Sequence, residues 1–499
     1  MERRIRRLGI FMLVCFLALF IQLNNIQVLK ANALANDPSN PHVQALARSQ
    51  ARGSILSSDG VTLASSELAP AGSIYKYERA YNPDTATLFS QIIGYDSLKY
   101  GNLNGVEAEY NSFLTPHIKQ VTNLNDLLTG HTEVDNVTLT VNAKLQSQVE
   151  QALDSGAPGV DGAAAVAYDP TTGAMEAMVS NPSFDPNPLV SENLTTEQDA
   201  WTQLLAAPGN PLRAGAYNQI YPPGSSFKVV TTSAVLEHRP DLAGMTYPTV
   251  ASIPLPDTGN PPQILHNYHL GACGGTLEEL LIQSCDADFA TIGQQLGASA
   301  LVTQAELYGF NQRIPLDVPE STVAVSNFGT VDALSSDVPG LMKSAIGQDN
   351  VAASALQMAM VAGTVADGGV EMTPHVMAQI RDSQGNLVES YTPKQWTKPI
   401  SPATAATLTT FMQGVATSGT AAGVFPSSWG AAAKTGTAEV GVNQQLTTDW
   451  LIAFAPTGNS KVAVAVVVPN QAATQTGAGI AGPIAKTIIG DVLADGLGG

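Results

Sequence analysis

The sequence predicts an α+β protein: an antiparallel sheet flanked by helices, preceded by a smaller α+β module and a single apolar helix at the N-terminus. Three observations carry this prediction. Hairpin patterns stand at both ends of the C-terminal two-thirds, residues 163–180 around the turn Asp169-Pro170-Thr171-Thr172-Gly173 and residues 450–468 around Pro456-Thr457-Gly458-Asn459-Ser460. Between them, residues 277–295, 352–366 and 402–416 follow a helical pattern. At the start, Arg3, Arg4, Arg6 and Arg7 precede the uninterrupted apolar run 8–21.

In chain order, residues 1–7 read as a cytoplasmic tail and 8–29 as a membrane anchor, because a basic flank stays inside and the segment is just long enough to cross a bilayer. Ala31, Ala33 and Ala35 offer a signal-peptidase pattern. They lie beyond Lys30, further than a cleavage site usually falls, so an uncleaved anchor is the reading taken. Residues 30–157 form a non-catalytic module. It opens on a polar, alanine-rich stalk (31–51), then Arg52 to Leu56 reads as a strand, Asp59-Gly60 as a turn and the next residues as a return strand. Glu107 and Glu109 read as a solvated or salt-bridged pair rather than a catalytic one. Residues 137–141 alternate as a strand, 143–153 form an amphipathic helix, and Ser155-Gly156-Ala157-Pro158-Gly159 breaks the chain. Residues 158–499 form the second domain, since 499 residues exceed one ordinary core.

A formal net charge of −19 excludes nucleic acid as the main partner, because a phosphate-binding face needs clustered Lys and Arg. Of three cysteines, Cys15 falls in the anchor, whereas Cys273 and Cys285 would face an oxidising exterior and are candidates for a disulfide. Free thiols, or zinc held with His266 and His269, are the alternatives.

The chemistry centres on Tyr221-Pro222-Pro223-Gly224-Ser225-Ser226-Phe227-Lys228. Prolines and glycine end one element, and Ser225 starts a helix on which Lys228 shares its face. Ser225 is the candidate nucleophile and Lys228 its base. A Ser-x-x-Lys spacing arises about once by chance in such a chain, so alone it means little. Lys434-Thr435-Gly436-Thr437 changes the balance, with a chance expectation on the order of a tenth. A serine hydroxyl needs a base, and Lys228 can serve only when neutral, a state favoured by burial and by a second cation such as Lys434. Gly436 would admit substrate backbone at a strand edge, Thr435 and Thr437 would meet its carboxylate, and the backbone N–H groups of Ser225 and Thr437 would hold an oxyanion.

These motifs resemble the signature of penicillin-binding proteins and serine β-lactamases. Arg52-Gly53, Gly105-Val106-Glu107, Tyr221 to Gly224, Gly347-Gln348 and Ser418-Gly419-Thr420-Ala421 are similar to their counterparts in class B penicillin-binding proteins, nearest the PbpA-type subgroup of actinobacteria. The resemblance implies a monofunctional D,D-transpeptidase that cross-links peptidoglycan stem peptides on glycan strands, is acylated by β-lactams and uses no cofactor. It also implies a pedestal or dimerisation-like N-terminal domain and a membrane-embedded glycan polymerase of the shape, elongation, division and sporulation family as partner.

One position departs from the pattern. The family's middle motif is Ser-x-Asn, and this chain has Ser284-Cys285-Asp286. Ser284 keeps a proton-shuttling hydroxyl; Asp286, a substrate-binding candidate, lacks the amide donor and would stabilise charged lysines. Ser191-Glu192-Asn193 and Ser335-Ser336-Asp337 are weaker candidates. A β-lactamase-like hydrolase and a catalytically weak cell-wall scaffold are the rival readings.

Overall fold

The computed structural model describes residues 2–24, 48–102, 104–118, 132–440 and 445–497. A five-stranded antiparallel sheet organises the C-terminal part. Its strands lie in the order Ala432–Val440, Leu446–Ala455, Val462–Ala472, Ala164–Tyr168, Met175–Ser180, so the two hairpins predicted from sequence are neighbours. The strand Val462–Ala472 is rich in valine and buried from Val462 to Pro469, which requires cover on both faces. The helices Ala355–Ala366 and Gly477–Asp495 both pack on it.

Gly477–Asp495 is long and apolar enough to cross a membrane by length and composition alone. Here Ile484, Ile488, Ile489 and Val492 are buried, and the helix lies against the sheet and the helix Ala143–Gly156. It is a core helix. By contrast the N-terminal helix Glu2–Asn24 exposes its large apolar side chains from Ile10 to Leu23. It begins at Glu2, ahead of the apolar run, because arginine propagates a helix about as well as leucine. The outer end of the expected anchor and most of the expected stalk lie outside the described residues.

The second sheet is mixed, in the order Leu387–Ser390, Met377–Asp382, Asp135–Leu139, Ile55–Leu56, Thr62–Leu68, Tyr77–Tyr81. The expected strand and return strand are present, with Ile55 opposite Ala64. Two features escape sequence reading. Ile55–Leu56 also pairs in parallel with Asp135–Leu139, and the hairpin from Met377 to Ser390 reaches back from the second domain to extend the sheet. Both pairings are distant in sequence, and a two-residue strand has no period to detect. Conversely, the helix Ala143–Gly156, placed in the first domain by sequence, packs in space on Gly477–Asp495 and Met175–Ser180.

Glu107, fully buried, holds the module together. Arg52 Nε donates to its Oε2 at 2.7 Å, Arg79 Nε to its Oε1 at 2.6 Å, and the Tyr81 hydroxyl to Oε1 at 3.0 Å. The segments Arg52-Gly53 and Gly105-Val106-Glu107 are thus two halves of one ion-pair cluster. Nearby, the Tyr110 hydroxyl donates to Asp317 Oδ2 at 2.7 Å, and Asp317 also accepts from the Val376 and Met377 N–H groups, fastening the module to the hairpin that completes its sheet.

The helical run expected at 277–295 is split into Leu277–Gln283 and Asp286–Leu307. Thr276 and Glu279 cap the first helix reciprocally, and Ser284 ends it in the left-handed conformation at φ +62°. That break is what exposes Ser284 and Asp286 to the site.

Candidate active site

Ser225 sits in a single 3-10 turn, Gly224–Phe227, that runs directly into the α-helix Lys228–His238. Side chains three apart eclipse in a 3-10 turn, so Ser225 and Lys228 share a face as their spacing predicts. The turn is fixed from outside: Trp450 Nε1 donates to Pro222 O at 2.9 Å, and Gly224 N donates to Gly347 O at 2.9 Å. A Cβ on Gly347 would lie 2.1 Å from Gly224 O, which explains the glycine of Gly347-Gln348.

The edge strand Ala432–Val440 presses on this turn. A Cβ on Gly436 would lie 2.5 Å from Pro223 O and 2.9 Å from Trp450 Cβ. Sequence reading assigns Gly436 to admitting substrate; in the fold its first duty is to let the strand approach the turn that carries Ser225.

Lys228 and Lys434, separated by some two hundred positions, meet at Ser284. Lys434 Nζ donates to Ser284 Oγ at 2.8 Å, and Lys228 Nζ donates to the Ser284 carbonyl at 2.8 Å and to its hydroxyl at 3.3 Å. Both lysines are fully buried. Asp286 Oδ1 accepts from Lys228 Nζ at 2.7 Å and from Ser225 Oγ at 3.4 Å, so the carboxylate stands between the Ser225 hydroxyl and the Lys228 amine. Among the described residues, Lys228 is thus bound to Ser284 and Asp286 rather than directly to the Ser225 hydroxyl.

Burial pushes both amines down from the ordinary lysine value. Asp286, and behind it the buried Asp288, pull Lys228 back toward its charged form. Lys434 falls well below the usual range, through burial first and then repulsion by Lys228, with Asp286 opposing. Sequence reading makes Lys228 the neutral amine and Lys434 the cation; a carboxylate at 2.7 Å from Lys228 favours the reverse.

Cys273 and Cys285 are joined by a disulfide, with Cα atoms 5.9 Å apart. No thiolate remains for the zinc alternative. The bridge ties the residue between Ser284 and Asp286 to the strand Cys273–Thr276.

A cleft of about 810 Å³ opens over these groups, lined by Ser225, Ser284, Asp286, Thr435 and Thr437. Thr420 Oγ1 and Thr435 Oγ1 share a hydrogen bond at 2.6 Å, and Thr437 Oγ1 accepts from Gly477 N at 3.2 Å. Opposite Thr437 in the adjacent strand, Asp449 is buried and pushed up by that burial to about 7. The facing wall, with His266, Tyr268 and Leu270, was not legible as part of the site. Residues 252–272 show no period that would place them there, and only the Cys273–Cys285 pairing hinted at it.

Competing serines separate cleanly. The Ser-x-x-Lys spacing recurs at Ser73–Lys76, where the Ser73 hydroxyl donates to Glu192. Asn193 caps the helix Leu194–Ala206 and Asp337 caps Val338–Ser344. Of the three candidates for the middle motif, Ser284 is the serine whose hydroxyl is bonded to both lysines.

A serine on a helix-opening turn, two buried amines joined through a second serine and an edge strand beside them define a serine acyltransferase of the penicillin-recognising class. The family model for the penicillin binding protein transpeptidase domain matches residues 163–490, and that for the penicillin binding protein A dimerisation domain matches 52–137. The chain belongs to the penicillin-binding protein transpeptidase family. Within it the chain falls in class B, with the actinobacterial PbpA subgroup: it is 34% identical to the peptidoglycan D,D-transpeptidase PbpA of Mycolicibacterium smegmatis, covering 99% of this chain and 100% of that protein. The namesake protein of Mycobacterium tuberculosis is 33% identical over 98% of both chains. Its penicillin-binding protein A, solved as a ceftriaxone acyl-enzyme, superposes with a TM-score of 0.80 at 31% identity, covering 90% of this chain and all of that one.

Proposed function

We propose that this D,D-transpeptidase cross-links peptidoglycan stem peptides through an acyl-enzyme on Ser225. The observation that carries the assignment is the convergence of Lys228 and Lys434 on Ser284, next to Ser225 and the edge strand. Ser225 Oγ attacks the carbonyl between the terminal D-alanines while its proton passes to a neutral amine. The backbone N–H groups of Ser225 and Thr437 hold the oxyanion, and Thr435 and Thr437 meet the terminal carboxylate. The C–N bond breaks, Ser284 hands a proton to the departing D-alanine amine and regains one from the lysine pair, and an acceptor amine then displaces Ser225. β-Lactams, as cyclic acyl donors, form the same ester and stay. The decisive assay supplies a stem-peptide donor and an acceptor amine. Cross-linked product should exceed hydrolysed donor; dominant hydrolysis would favour the β-lactamase-like reading, and no turnover the scaffold.

Residues 158–499 carry this chemistry and 30–157 form its pedestal, held off the membrane by the apolar helix with its basic flank on the cytoplasmic side. The glycan polymerase expected from the resemblance would meet the pedestal and anchor. The exposed apolar side chains of Glu2–Asn24 support the anchor, although its apolar segment Gly9–Asn24 is by itself short of the roughly 20 residues a bilayer needs.

Asp286 sets the resting protonation. Asp286→Asn removes the anion that favours charged Lys228 and offers an amide donor to substrate. Acylation by penicillin should speed up several-fold near pH 7, and the rise of rate with pH should move to lower pH. Stopped-flow acylation across a pH series measures both. A slower variant with an unmoved profile would show that the carboxylate itself is required.

A further inference from the structure

A second cluster of chemistry-bearing side chains lies in the pedestal, among residues the transpeptidase reaction does not use. The short strands His117–Ile118 and Thr132–Glu133 pair antiparallel, with His117 directly opposite Glu133. Asp135, two residues beyond Glu133, begins the strand Asp135–Leu139 of the mixed sheet. Residues two apart on extended chain point the same way, so both carboxylates address the imidazole. Ligand atoms of His117, Glu133 and Asp135 all lie within 4.8 Å of one another.

We propose that His117, Glu133 and Asp135 form a divalent-metal site that takes Zn²⁺. The imidazole is already arranged as a ligand. His117 Nδ1 lies 3.0 Å from the Thr115 carbonyl, which can only accept, so Nδ1 carries the hydrogen. In the neutral ring this leaves the Nε2 lone pair facing the carboxylates, the outer-sphere pattern of metal-bound histidine. The spacing points the same way. His117 Nε2 and Asp135 Oδ2 are 3.3 Å apart. A charge-assisted N–H···O bond would draw in to about 2.7–2.9 Å. Two ligands on a tetrahedral zinc at about 2.0–2.1 Å stand roughly 3.3 Å from each other. Asp135 is 1% exposed, which keeps this ligand out of bulk water.

One imidazole and two carboxylates suit zinc, with water in the remaining position. Calcium and magnesium prefer all-oxygen shells. The ion would clamp the two short strands His117–Ile118 and Thr132–Glu133 to the sheet strand that starts at Asp135. The site is structural and separate from Ser225.

The test uses the tag-free full-length chain in detergent, stripped with chelator, equilibrated with zinc sulfate and desalted. Elemental analysis should find about one zinc per wild-type chain, and cobalt substitution should give the visible bands of a four-coordinate site. His117→Ala and Asp135→Asn should each lose the metal, weakening uptake at least tenfold, while fluorescent penicillin still labels Ser225 and reports an intact fold. His117 is one-third exposed and tolerates truncation, so it decides the matter if Asp135→Asn misfolds. Wild type without zinc, or His117→Ala retaining the full complement, overturns the proposal.

Discussion

Ser225→Ala is expected to leave no covalent adduct after penicillin exposure, where the wild-type chain gains the mass of one β-lactam. The effect should be among the largest available in this protein. Removing a nucleophile that works as a unit with its base costs factors approaching about 10⁶ in comparable serine enzymes, and an alanine has no oxygen to acylate at all. The residual site would remain folded, because among the described residues the Ser225 side chain makes just the 3.4 Å bond to Asp286, and the turn is held by Trp450, Gly347 and Gly436. Intact-mass spectrometry of the two chains side by side reads the result. An adduct persisting in the alanine variant would move the nucleophile elsewhere. Ser284, the remaining cleft hydroxyl bonded to both lysines, would be the first to examine.

The turn that carries Ser225 was legible because its determinants are local. Two prolines, a glycine and a three-residue spacing are written in consecutive letters, and so are the lysine and glycine of the edge strand. The hairpins were legible for the same reason, each an alternating pair around a turn. What the letters cannot carry is contact between distant segments. Gly436 looks like an opening for substrate until the fold shows Pro223 O where its Cβ would be. The order of protonation of the lysines depends on which one Asp286 touches, a matter of ångströms. The wall built from His266, Tyr268 and Leu270 has neither period nor motif. The pedestal was the least legible part, since its sheet takes strands from both halves of the chain and its central ion pairs join residues 52, 79 and 107.

Those ion pairs lead to the second large effect, on stability rather than on chemistry. Glu107→Gln should lower the unfolding free energy by about 3–5 kcal/mol, the usual cost of removing one partner from a buried charge pair. Here the cost falls at the upper end, because Arg79, 1% exposed, loses its paired anion and Arg52, 10% exposed, keeps the looser contact to Asp96 Oδ2 at 4.0 Å. The pH dependence follows from the same geometry. Burial alone would push the Glu107 carboxyl up, but the two guanidiniums outweigh it and hold the group below its ordinary value. A depressed carboxylate contributes stability above its unfolded pKa, about 4.3, and loses it as pH falls through the folded value. The wild-type advantage over Glu107→Gln should therefore be constant near neutrality and shrink only in acid. Thermal unfolding of both proteins between pH 7 and pH 3 measures this. Penicillin acylation of the folded variant at low temperature should stay within about threefold of wild type, because Glu107 touches none of the cleft residues. A variant that unfolds within about 1 kcal/mol of wild type would mean that the arginines find other anions, and that the cluster positions the pedestal without stabilising it.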